Sequence, residues 1–352
     1  MGARLVTFAG WNMPLQYKGI LHEHDHTRRC VSVFDTCHMG ELALEGHAVC
    51  ADLSRLISSN TEQIEVGRCR YGLLLNEGGG ILDDLVVYRR GKQSYMLVAN
   101  AGTTERDREW IGAHVSAGTT VADQSEQTGK IDVQGPRCLE VLEQFTDILL
   151  ERLGYYRFAT GRLWEFDVVI SRTGYTGELG YEVYSNTDAI NRIWERLLEQ
   201  PLVEPAGLGA RDTLRLEVGY PLYGQDMDEC RTPLEASLER HVDMSKEFIG
   251  KRALVHQQEE GTAEKLVGVA LDGRQAARHG SELTRDGETV GTVTSGSFAP
   301  SLGYAIALGY VRAAYSSPGT PLEIKAGSRM LQGRITELPF YRRGTARSPL
   351  HV

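Results

Sequence analysis

The chain has 352 residues, of which 41% are hydrophobic and 24% charged, as in an ordinary globular protein with room for two or three domains. Its formal net charge of −9 argues against long-range attraction to nucleic acid or to an anionic membrane. No apolar run approaches the roughly 20 residues that span a bilayer, and the N-terminus lacks the pattern of a secretory signal peptide. We therefore predict a cytoplasmic protein that binds neither nucleic acid nor membrane.

Short helices and strands alternate in the N-terminal part of the chain. Phe8–Tyr17 contains glycine, proline and three aromatic residues, which predicts an irregular packed loop. His22–Ser32 is short and polar, and it predicts a helix or an exposed polar turn. Strands are predicted over 32–35 and 40–44, and apolar residues at helical spacing predict a helix over 48–57.

The segment Asn76–Tyr88, NEGGGILDDLVVY, predicts a β-hairpin. Its three glycines reach positive φ without steric cost, and Tyr71–Leu75 is a plausible partner strand. Carboxylates are disfavoured inside strands, yet Asp83 and Asp84 stand side by side, and alternation points them to opposite faces. Either this is an edge strand with solvated acids, or one carboxylate points into a pocket.

The middle of the chain continues the alternation, and the C-terminal part does not. Strands are predicted at 94–98, 130–133, 163–170 and 181–184, with helices that begin near residues 103, 135 and 187. Interleaved helices and hairpins favour an α+β fold. Residues 257–265 are polar and predict a linker, after which five or six short strands predict a small barrel or sandwich.

Few familiar catalytic motifs are present. His22-Glu23-His24-Asp25-His26 matches the H-E-x-x-H pattern of zinc proteases, but the segment is polar all round and the extended motif is absent. The six cysteines are scattered without a C-x-x-C pair, and no P-loop or G-x-S-x-G motif occurs. The remaining polar residues at the ends of predicted elements would suit a flat, polar heterocycle, although each alone is more often part of a structural ion pair. They are Asp83, Asn100, Glu182, Arg211 and several tyrosines.

Longer motifs follow one another along almost the whole chain. They are FAGWNMPLQY at 8–17, HMG at 38–40, GGGILDDLVVY at 78–88, DVQGP at 132–136, RTGYTGELGYEV at 172–183, AGLGARDTLRLE at 206–217, YGQDMDE at 223–229, FIGK at 248–251 and TSGSFAPSLGYAIALGYV at 294–311. In this order and at this length they resemble the aminomethyltransferase (T-protein) family of the glycine cleavage system.

The resemblance implies a fold and a division into lobes. The expected fold is α+β, a three-lobed cloverleaf of two mixed α/β lobes and a C-terminal all-β barrel, with a folate pocket at its centre. The first lobe would be discontinuous, with residues 1–45 and 140–262. Residues 46–139 would form the second lobe and residues 263–352 the barrel.

The resemblance also implies an activity. The family moves the methylene of the aminomethyl group on the dihydrolipoyl arm of H-protein to tetrahydrofolate, which releases ammonia and forms 5,10-methylenetetrahydrofolate. Lipoylated H-protein would then be the partner and tetrahydrofolate the co-substrate, with no metal. Two alternatives remain open: another folate-dependent one-carbon transferase or demethylase on the same scaffold, and a non-catalytic folate-binding accessory protein.

By the same resemblance, Asp83 is expected to be the catalytic residue. The residues expected to bind folate are Glu182, Arg211, Tyr175, Asn100, Met39 and Tyr71.

Overall fold

The structure is a computed structural model, and it describes residues 2–350. Within these residues the strands are β1 Arg4–Phe8, β2 Trp11–Gln16, β3 Val31–Asp35, β4 Gly40–Glu45, β5 Cys69–Leu75, β6 Ile81–Gly91, β7 Ser94–Ala99, β8 Thr120–Asp123, β9 Thr128–Gln134, β10 Phe158–Leu163, β11 Phe166–Ser171, β12 Gly180–Asn186, β13 Val203–Ala206, β14 Glu264–Leu271, β15 Glu282–Arg285, β16 Glu288–Ala299, β17 Tyr304–Arg312, β18 Pro321–Ala326 and β19 Arg329–Thr336. The α-helices are α1 Ile20–Arg29, α2 Val49–Leu56, α3 Thr104–His114, α4 Cys138–Leu142, α5 Thr187–Leu198, α6 Leu208–Glu217 and α7 Lys251–Glu260.

The strands form two open sheets, a closed barrel and a separate ribbon. The six-stranded sheet has the order β10-β11-β12-β9-β3-β13, and the five-stranded sheet has the order β5-β6-β7-β4-β8. Strands β14–β19 close into a barrel, and β1 pairs with β2 alone. The predicted fold class is confirmed: the chain is α+β, with two mixed α/β lobes and a C-terminal all-β barrel.

Strand pairing separates the two open sheets at particular points of the chain. Strand β4 pairs with β7 and β8, and therefore belongs to the five-stranded sheet. Strand β9 pairs with β3 and β12, and therefore belongs to the six-stranded sheet. The chain therefore passes from the six-stranded sheet to the five-stranded sheet between β3 and β4, and it returns between β8 and β9. The expected lobe limits at residues 45 and 139 stay a prediction.

Three predicted segments differ from the structure. The expected loop at 8–17 lies mostly in the β1–β2 hairpin, because Ala9 and Gly10 both have positive φ, 48° and 84°, as tight hairpin turns require. The single strand expected over 163–170 is a second hairpin, which turns at Trp164 with a φ of 53°. The expected linker at 257–265 is partly helical, since α7 continues to Glu260.

The helix predicted to begin near residue 187 is α5, and the residue before it is its N-cap. The side chain of Asn186 accepts a hydrogen bond from the backbone N–H of Ala189 at 2.9 Å and caps α5. Ile190, Ile193 and Leu197 lie on one face of this helix and join the core of the six-stranded sheet.

Two packing regions bring the candidate residues together. Tyr88 of β6 and Met96 of β7 pack against Phe158 of β10 and Tyr184 of β12, which joins the two open sheets. Helix α6 contacts the barrel through Leu216 and the β3–β13 edge through Ala210 and Leu214. The interior between the sheets is therefore bordered by α6. Within residues 2–350, no helix is both long and apolar enough to cross a bilayer.

Candidate active site

The two acids of β6 lie in an internal strand. Strand β6 is hydrogen-bonded to β5 on one side and to β7 on the other, so the edge-strand interpretation is wrong. Asp83 is 0% exposed, whereas Asp84 is partly exposed, as expected for neighbours that point to opposite faces. The two carboxyls therefore have different surroundings.

Asp83 is enclosed by protein on all sides. Its carboxyl accepts the backbone N–H of Asn100 at 3.0 Å and the side-chain N–H of Asn100 at 2.8 Å. It also faces the carboxyl of Asp107 in α3, and burial together with the charge of Asp107 raises the pKa of Asp83 well above its usual range. A carboxyl enclosed in this way does not reach a ligand directly.

Asp84 faces the interior between the sheets. One carboxyl oxygen accepts the side-chain N–H of Asn100 at 2.8 Å, and the other accepts the hydroxyl of Tyr71 at 3.0 Å. Burial, followed by the charge of Asp83, raises the pKa of Asp84 to about 7. Near neutral pH this carboxyl can therefore be either ionised or protonated, which suits a group that takes part in a reaction.

Tyrosines surround Asp84. Tyr71 packs edge-on against His241, with ring centroids 4.6 Å apart. Tyr175 lies in the loop between β11 and β12, and its hydroxyl donates to the carbonyl of Pro221 at 2.5 Å. Burial, with a further contribution from Asp84 among its neighbours, raises the pKa of the Tyr175 phenol, so the two side chains share one region.

Glu182 in β12 lies in the same interior and is 9% exposed. Its carboxyl accepts hydrogen bonds from the hydroxyls of Tyr88 at 3.0 Å, Tyr184 at 3.2 Å and Thr173. It also accepts the ammonium of Lys130 at 2.9 Å. The three hydroxyls share Oε2, whereas Oε1 accepts the ammonium of Lys130 and keeps a second lone pair for a ligand N–H.

Arg211 continues this set of charges. Its guanidinium pairs with Asp132, and Lys130 links Asp132 at 2.6 Å to Glu182 at 2.9 Å. We call Arg211, Asp132, Lys130 and Glu182 the ionic network. Although burial opposes ionisation, Lys130 and Arg211 hold the pKa of Asp132 below its usual range. Arg211 also lies over the ring of Tyr175, 5.1 Å from its centroid.

Two further buried groups lie beside the ionic network. Burial, followed by the charge of Arg211, lowers the pKa of His38 to about 3, and its Nδ1 has no hydrogen-bond partner within residues 2–350. Burial raises the pKa of Glu41 to about 8, and neither of its carboxyl oxygens accepts a hydrogen bond there. Met39 lies between them in sequence and packs with Tyr88 and Tyr184.

The structure therefore brings most of the predicted site residues together. Tyr71, Tyr175, Asn100 and Arg211 lie around Asp84 or next to its neighbours, and Met39 and Glu182 contact the tyrosines on the side of β12. Asp83 is the exception, because its side chain points to the opposite face of β6. The roles of all seven residues stay predictions.

Sequence reasoning missed Tyr156, Lys130 and Asp132. Tyr156 lies within electrostatic reach of Tyr71 and Glu182, and its φ of 59° is unusual for a tyrosine. No pattern in the sequence indicates that φ, because the residue is not followed by a glycine turn. Asp132 belongs to the DVQGP motif, and alternation places Lys130 on the same face of β9, which was a usable signal.

A second cleft is lined mainly by residues of β10, β11 and β12. Its volume is about 580 Å³, and Arg90, Thr160, Asp167 and Ser185 are among the residues that line it. None of the seven predicted site residues lines this cleft. It is open to solvent, and it is lined by Tyr184, whose hydroxyl donates to Glu182, but not by Asp84.

The H-E-x-x-H segment lies in helix α1 rather than in an exposed turn, and two of its polar side chains are buried. Glu23 is 1% exposed and accepts the backbone N–H groups of Tyr17, Gly19 and Gly207. His24 is also buried, 2.8 Å from the hydroxyl of Thr213. Glu23 therefore anchors the loop before α1 and is not placed as the general base of a protease.

Comparison with known proteins identifies the family of this arrangement. Residues 1–246 match the model of the GCVT N-terminal domain, and residues 264–342 match that of the glycine cleavage T-protein C-terminal barrel domain. The chain belongs to the glycine cleavage T-protein family. The family predicted from the sequence motifs is therefore confirmed.

Curated and solved members of the T-protein family match over nearly their full length. An aminomethyltransferase of Halothermothrix orenii is 43% identical, with 97% of this chain and 96% of the relative covered. An aminomethyltransferase of Thermotoga neapolitana is 42% identical, with 97% and 95% covered. The crystal structure of glycine cleavage system aminomethyltransferase T from Bartonella henselae matches with a TM-score of 0.92 at 33% identity, with 98% and 96% covered.

Proposed function

We propose that the chain is the aminomethyltransferase of a glycine cleavage system. Membership of the T-protein family and the near full-length similarity to proteins named aminomethyltransferase support this activity. The partner that presents the substrate is H-protein, whose lipoyl arm bears the aminomethyl group. The acceptor of the carbon is tetrahydrofolate.

The proposed reaction balances without a nucleophile from the protein. The transferred carbon loses its bonds to the lipoyl sulfur and to the amine nitrogen, and it gains bonds to N5 and N10 of the folate. The two folate N–H protons end on the sulfur and on the departing ammonia. Folate thus supplies both nitrogen nucleophiles, and the pKa of the thiols of Cys69 and Cys138 is raised because both are buried.

The residues between the two open sheets fit a reduced pterin. A pterin presents N–H donors and a carbonyl acceptor on a flat ring, and the ionic network offers a carboxylate and a guanidinium at its two ends. Tyr71, Tyr156 and Tyr175 offer ring faces and edges beside it. This fit supports folate-binding roles for Glu182 and Arg211, with Tyr175, Tyr71, Asn100 and Met39 as the surrounding contacts.

Asp84 is the acid that the geometry favours for the reaction. It is partly exposed to the interior, and its carboxylate is oriented by Tyr71 and Asn100. A negative charge at this place stabilises positive character on the transferred carbon. Asp83, the residue expected from the family resemblance, is 0% exposed and remains the competing assignment. The partial exposure of Asp84 and the two hydrogen bonds to its carboxyl are the observation that carries the proposed mechanism.

The activity is tested with purified protein, aminomethylated H-protein and tetrahydrofolate. We expect equal amounts of ammonia and 5,10-methylenetetrahydrofolate, and no methylene product when either substrate is omitted. A parallel reaction replaces H-protein with an N-methyl amine or a sulfonium compound. Product only in that parallel reaction would favour the folate-dependent demethylase, and product in neither would favour a folate-binding accessory protein.

A further inference from the structure

Asp107 is a buried acid that the proposed reaction does not use. It lies in the first turn of α3 and is 0% exposed. Neither of its carboxyl oxygens accepts a hydrogen bond from an N–H or O–H group within residues 2–350. An ionised carboxylate in such a place is costly, because burial removes its water and the protein supplies no donor.

The group that faces Asp107 is another carboxyl, that of Asp83. The two are close enough to hydrogen-bond to each other. Two carboxylates cannot do so unless one of them bears a proton, because an ionised carboxyl has no donor. Burial, followed by the charge of Asp107, raises the pKa of Asp83, and burial raises that of Asp107, so one proton shared by the pair is the stable state near neutral pH.

The donors around the pair decide which carboxyl is ionised. Both oxygens of Asp83 already accept an N–H group of Asn100, at 3.0 and 2.8 Å. Asp107 has no such N–H donor within residues 2–350, and the hydroxyl of Thr103 beside it donates to the carbonyl of Asn100. The negative charge is therefore better placed on Asp83, with the proton on Asp107 and directed at Asp83.

Asn100 connects this pair to Asp84. Its side-chain nitrogen is 2.8 Å from a carboxyl oxygen of Asp83 and 2.8 Å from one of Asp84, so its two N–H groups bridge the two acids. We propose that Asp107 is a positioning residue for the reaction: its proton keeps Asp83 as the acceptor of Asn100, and Asn100 orients the carboxylate of Asp84. This inference rests on the proposed function and extends it to α3.

Charged and titratable neighbours of the pair lie in α3 itself and in the segment that follows α6. Arg106 precedes Asp107, donates to the hydroxyl of Tyr223 at 2.7 Å and is about two-fifths exposed. Its positive charge is near both acids. Tyr223 is also within electrostatic reach of both acids. Arg106 makes no hydrogen bond to either carboxyl, so it does not replace the shared proton.

The proton count can be measured on the wild-type protein. With carbon-13 placed only at the carboxyl carbon of aspartates, Asp84 should be ionised at about pH 9, whereas one aspartate should remain protonated. Glutamates such as Glu41 do not contribute to this spectrum. We expect the protonated signal to vanish in folded Asp107→Asn. Absence of any protonated aspartate in the wild type at that pH would overturn the proposal.

The positioning role is tested by kinetics with two variants of Asp107. Asp107→Asn keeps a neutral donor toward Asp83 and should retain kcat within about threefold, whereas Asp107→Leu should lower kcat on the order of tenfold with the KM for folate within about twofold. Asp52 in α2 is a matched control, because it is also buried and bonded to Ser116 and Thr119. Asp52→Leu should lower stability and leave kcat unchanged at a temperature where it is folded.

Two kinetic results would contradict the positioning role. One is a folded Asp107→Leu with the kcat of the wild type, and the other is an Asp107→Asn that falls as far as Asp107→Leu. If a variant does not fold, the presence or absence of a protonated aspartate in the wild-type spectrum tests the proposal instead. A wild type that forms no 5,10-methylenetetrahydrofolate but keeps one protonated aspartate would overturn the proposed function and leave the shared proton of Asp83 and Asp107 in place, since the proton count does not depend on activity.

Discussion

At the scale of single residues, the neighbouring acids of β6 have environments set by different partners. Asp83 is buried against Asn100 and Asp107, and Asp84 faces Tyr71 and the interior between the sheets. A carboxylate that stabilises positive charge in the transition state contributes mostly to kcat, whereas a buried structural acid contributes mostly to the free energy of unfolding. Side-by-side substitution separates these contributions.

We predict that Asp84→Asn lowers kcat on the order of 10²-fold or more, because the lost charge acts mainly in the transition state. Folate affinity should stay within about tenfold, about 1.4 kcal/mol, since asparagine has nearly the same shape. The measurement is kcat with H-protein and folate both saturating, together with calorimetric titration of a reduced folate.

Asp83→Asn is the control for this prediction. It places an amide N–H₂ against a donor of Asn100, so we expect a lower unfolding midpoint and a smaller loss of kcat than in Asp84→Asn. An active Asp84→Asn beside a stably folded but inactive Asp83→Asn would restore Asp83 as the catalytic residue.

Glu41 gives a prediction about stability and pH. Its pKa is raised by burial from 4.5 to about 8, so between these values the folded protein binds a proton that the unfolded chain does not. Its contribution to the free energy of unfolding is therefore complete at low pH and is lost as pH rises toward 8. Glu41→Gln is neutral at every pH and does not lose this contribution. Its free energy of unfolding minus that of the wild type should therefore rise by on the order of 2 kcal/mol when the pH is raised from about 5 to about 8.

Urea unfolding of both proteins at the two pH values is the measurement. Glu45→Gln is the control, because Glu45 lies in the same strand and is exposed. A difference between Glu41→Gln and the wild type that does not change with pH would show that Glu41 titrates like a solvated glutamate.

At the scale of elements, the loop between β11 and β12 places Tyr175 at the site. Gly174 and Gly180 both lie against the buried amide of Gln134, and a Cβ at either position would overlap that amide. Gln134 in turn donates to the carbonyl of Thr173 at 3.2 Å and accepts the hydroxyl of Thr176 at 2.9 Å. The absence of a side chain at residues 174 and 180 therefore allows close packing against Gln134.

We predict that Gly180→Ala lowers the free energy of unfolding by about 1–3 kcal/mol, because the added methyl displaces a buried, hydrogen-bonded amide. Folate affinity should fall as well, since the loop that carries Tyr175 has to move. Gly112 in α3 is a suitable control, because a Cβ there meets no atom within 4 Å. Gly112→Ala should raise stability by roughly 0.5–1 kcal/mol. Equal unfolding midpoints for the two variants would contradict the packing role of Gly180.

At the scale of the whole molecule, α6 joins the site to the barrel. Arg211 belongs to the ionic network, and one turn later Arg215 is 1% exposed and pairs with Asp226 at 2.6 Å. Arg215 also donates to Ser295 of β16 at 2.8 Å. Movement of the barrel against the sheets would therefore break buried charged hydrogen bonds.

We predict that Arg215→Ala lowers the free energy of unfolding by about 3–5 kcal/mol, because it leaves Asp226 buried without its cation. Arg312 is a matched control on the barrel surface, since it is exposed and pairs with Glu288 at 3.6 Å. Arg312→Ala should change stability by less than about 0.5 kcal/mol. Urea unfolding of both variants decides, and a small effect of Arg215→Ala would mean that water or another cation replaces the guanidinium.

Local sequence signals predicted those elements whose determinants lie within a few residues. The three glycines form the turn of the β5–β6 hairpin, and Gly79 has a φ of 82°. Asn186 caps α5, as its position before an apolar helical pattern indicated. The Phe8–Tyr17 loop prediction was wrong because Ala9, rather than a second glycine, takes the positive φ of the turn. The apparent linker contains part of α7 because few of that helix's residues are buried, which weakens its apolar pattern.

The sequence by itself determined the family, the fold class and the opposite orientation of Asp83 and Asp84, because long motifs and strand alternation are readable along one chain. Only the tertiary structure decided which of the two acids faces the interior. Alternation assigns side chains to faces, but the cover on each face comes from segments distant in sequence. Here Asp107 of α3 covers Asp83, while Tyr71 and Tyr175 leave Asp84 partly open.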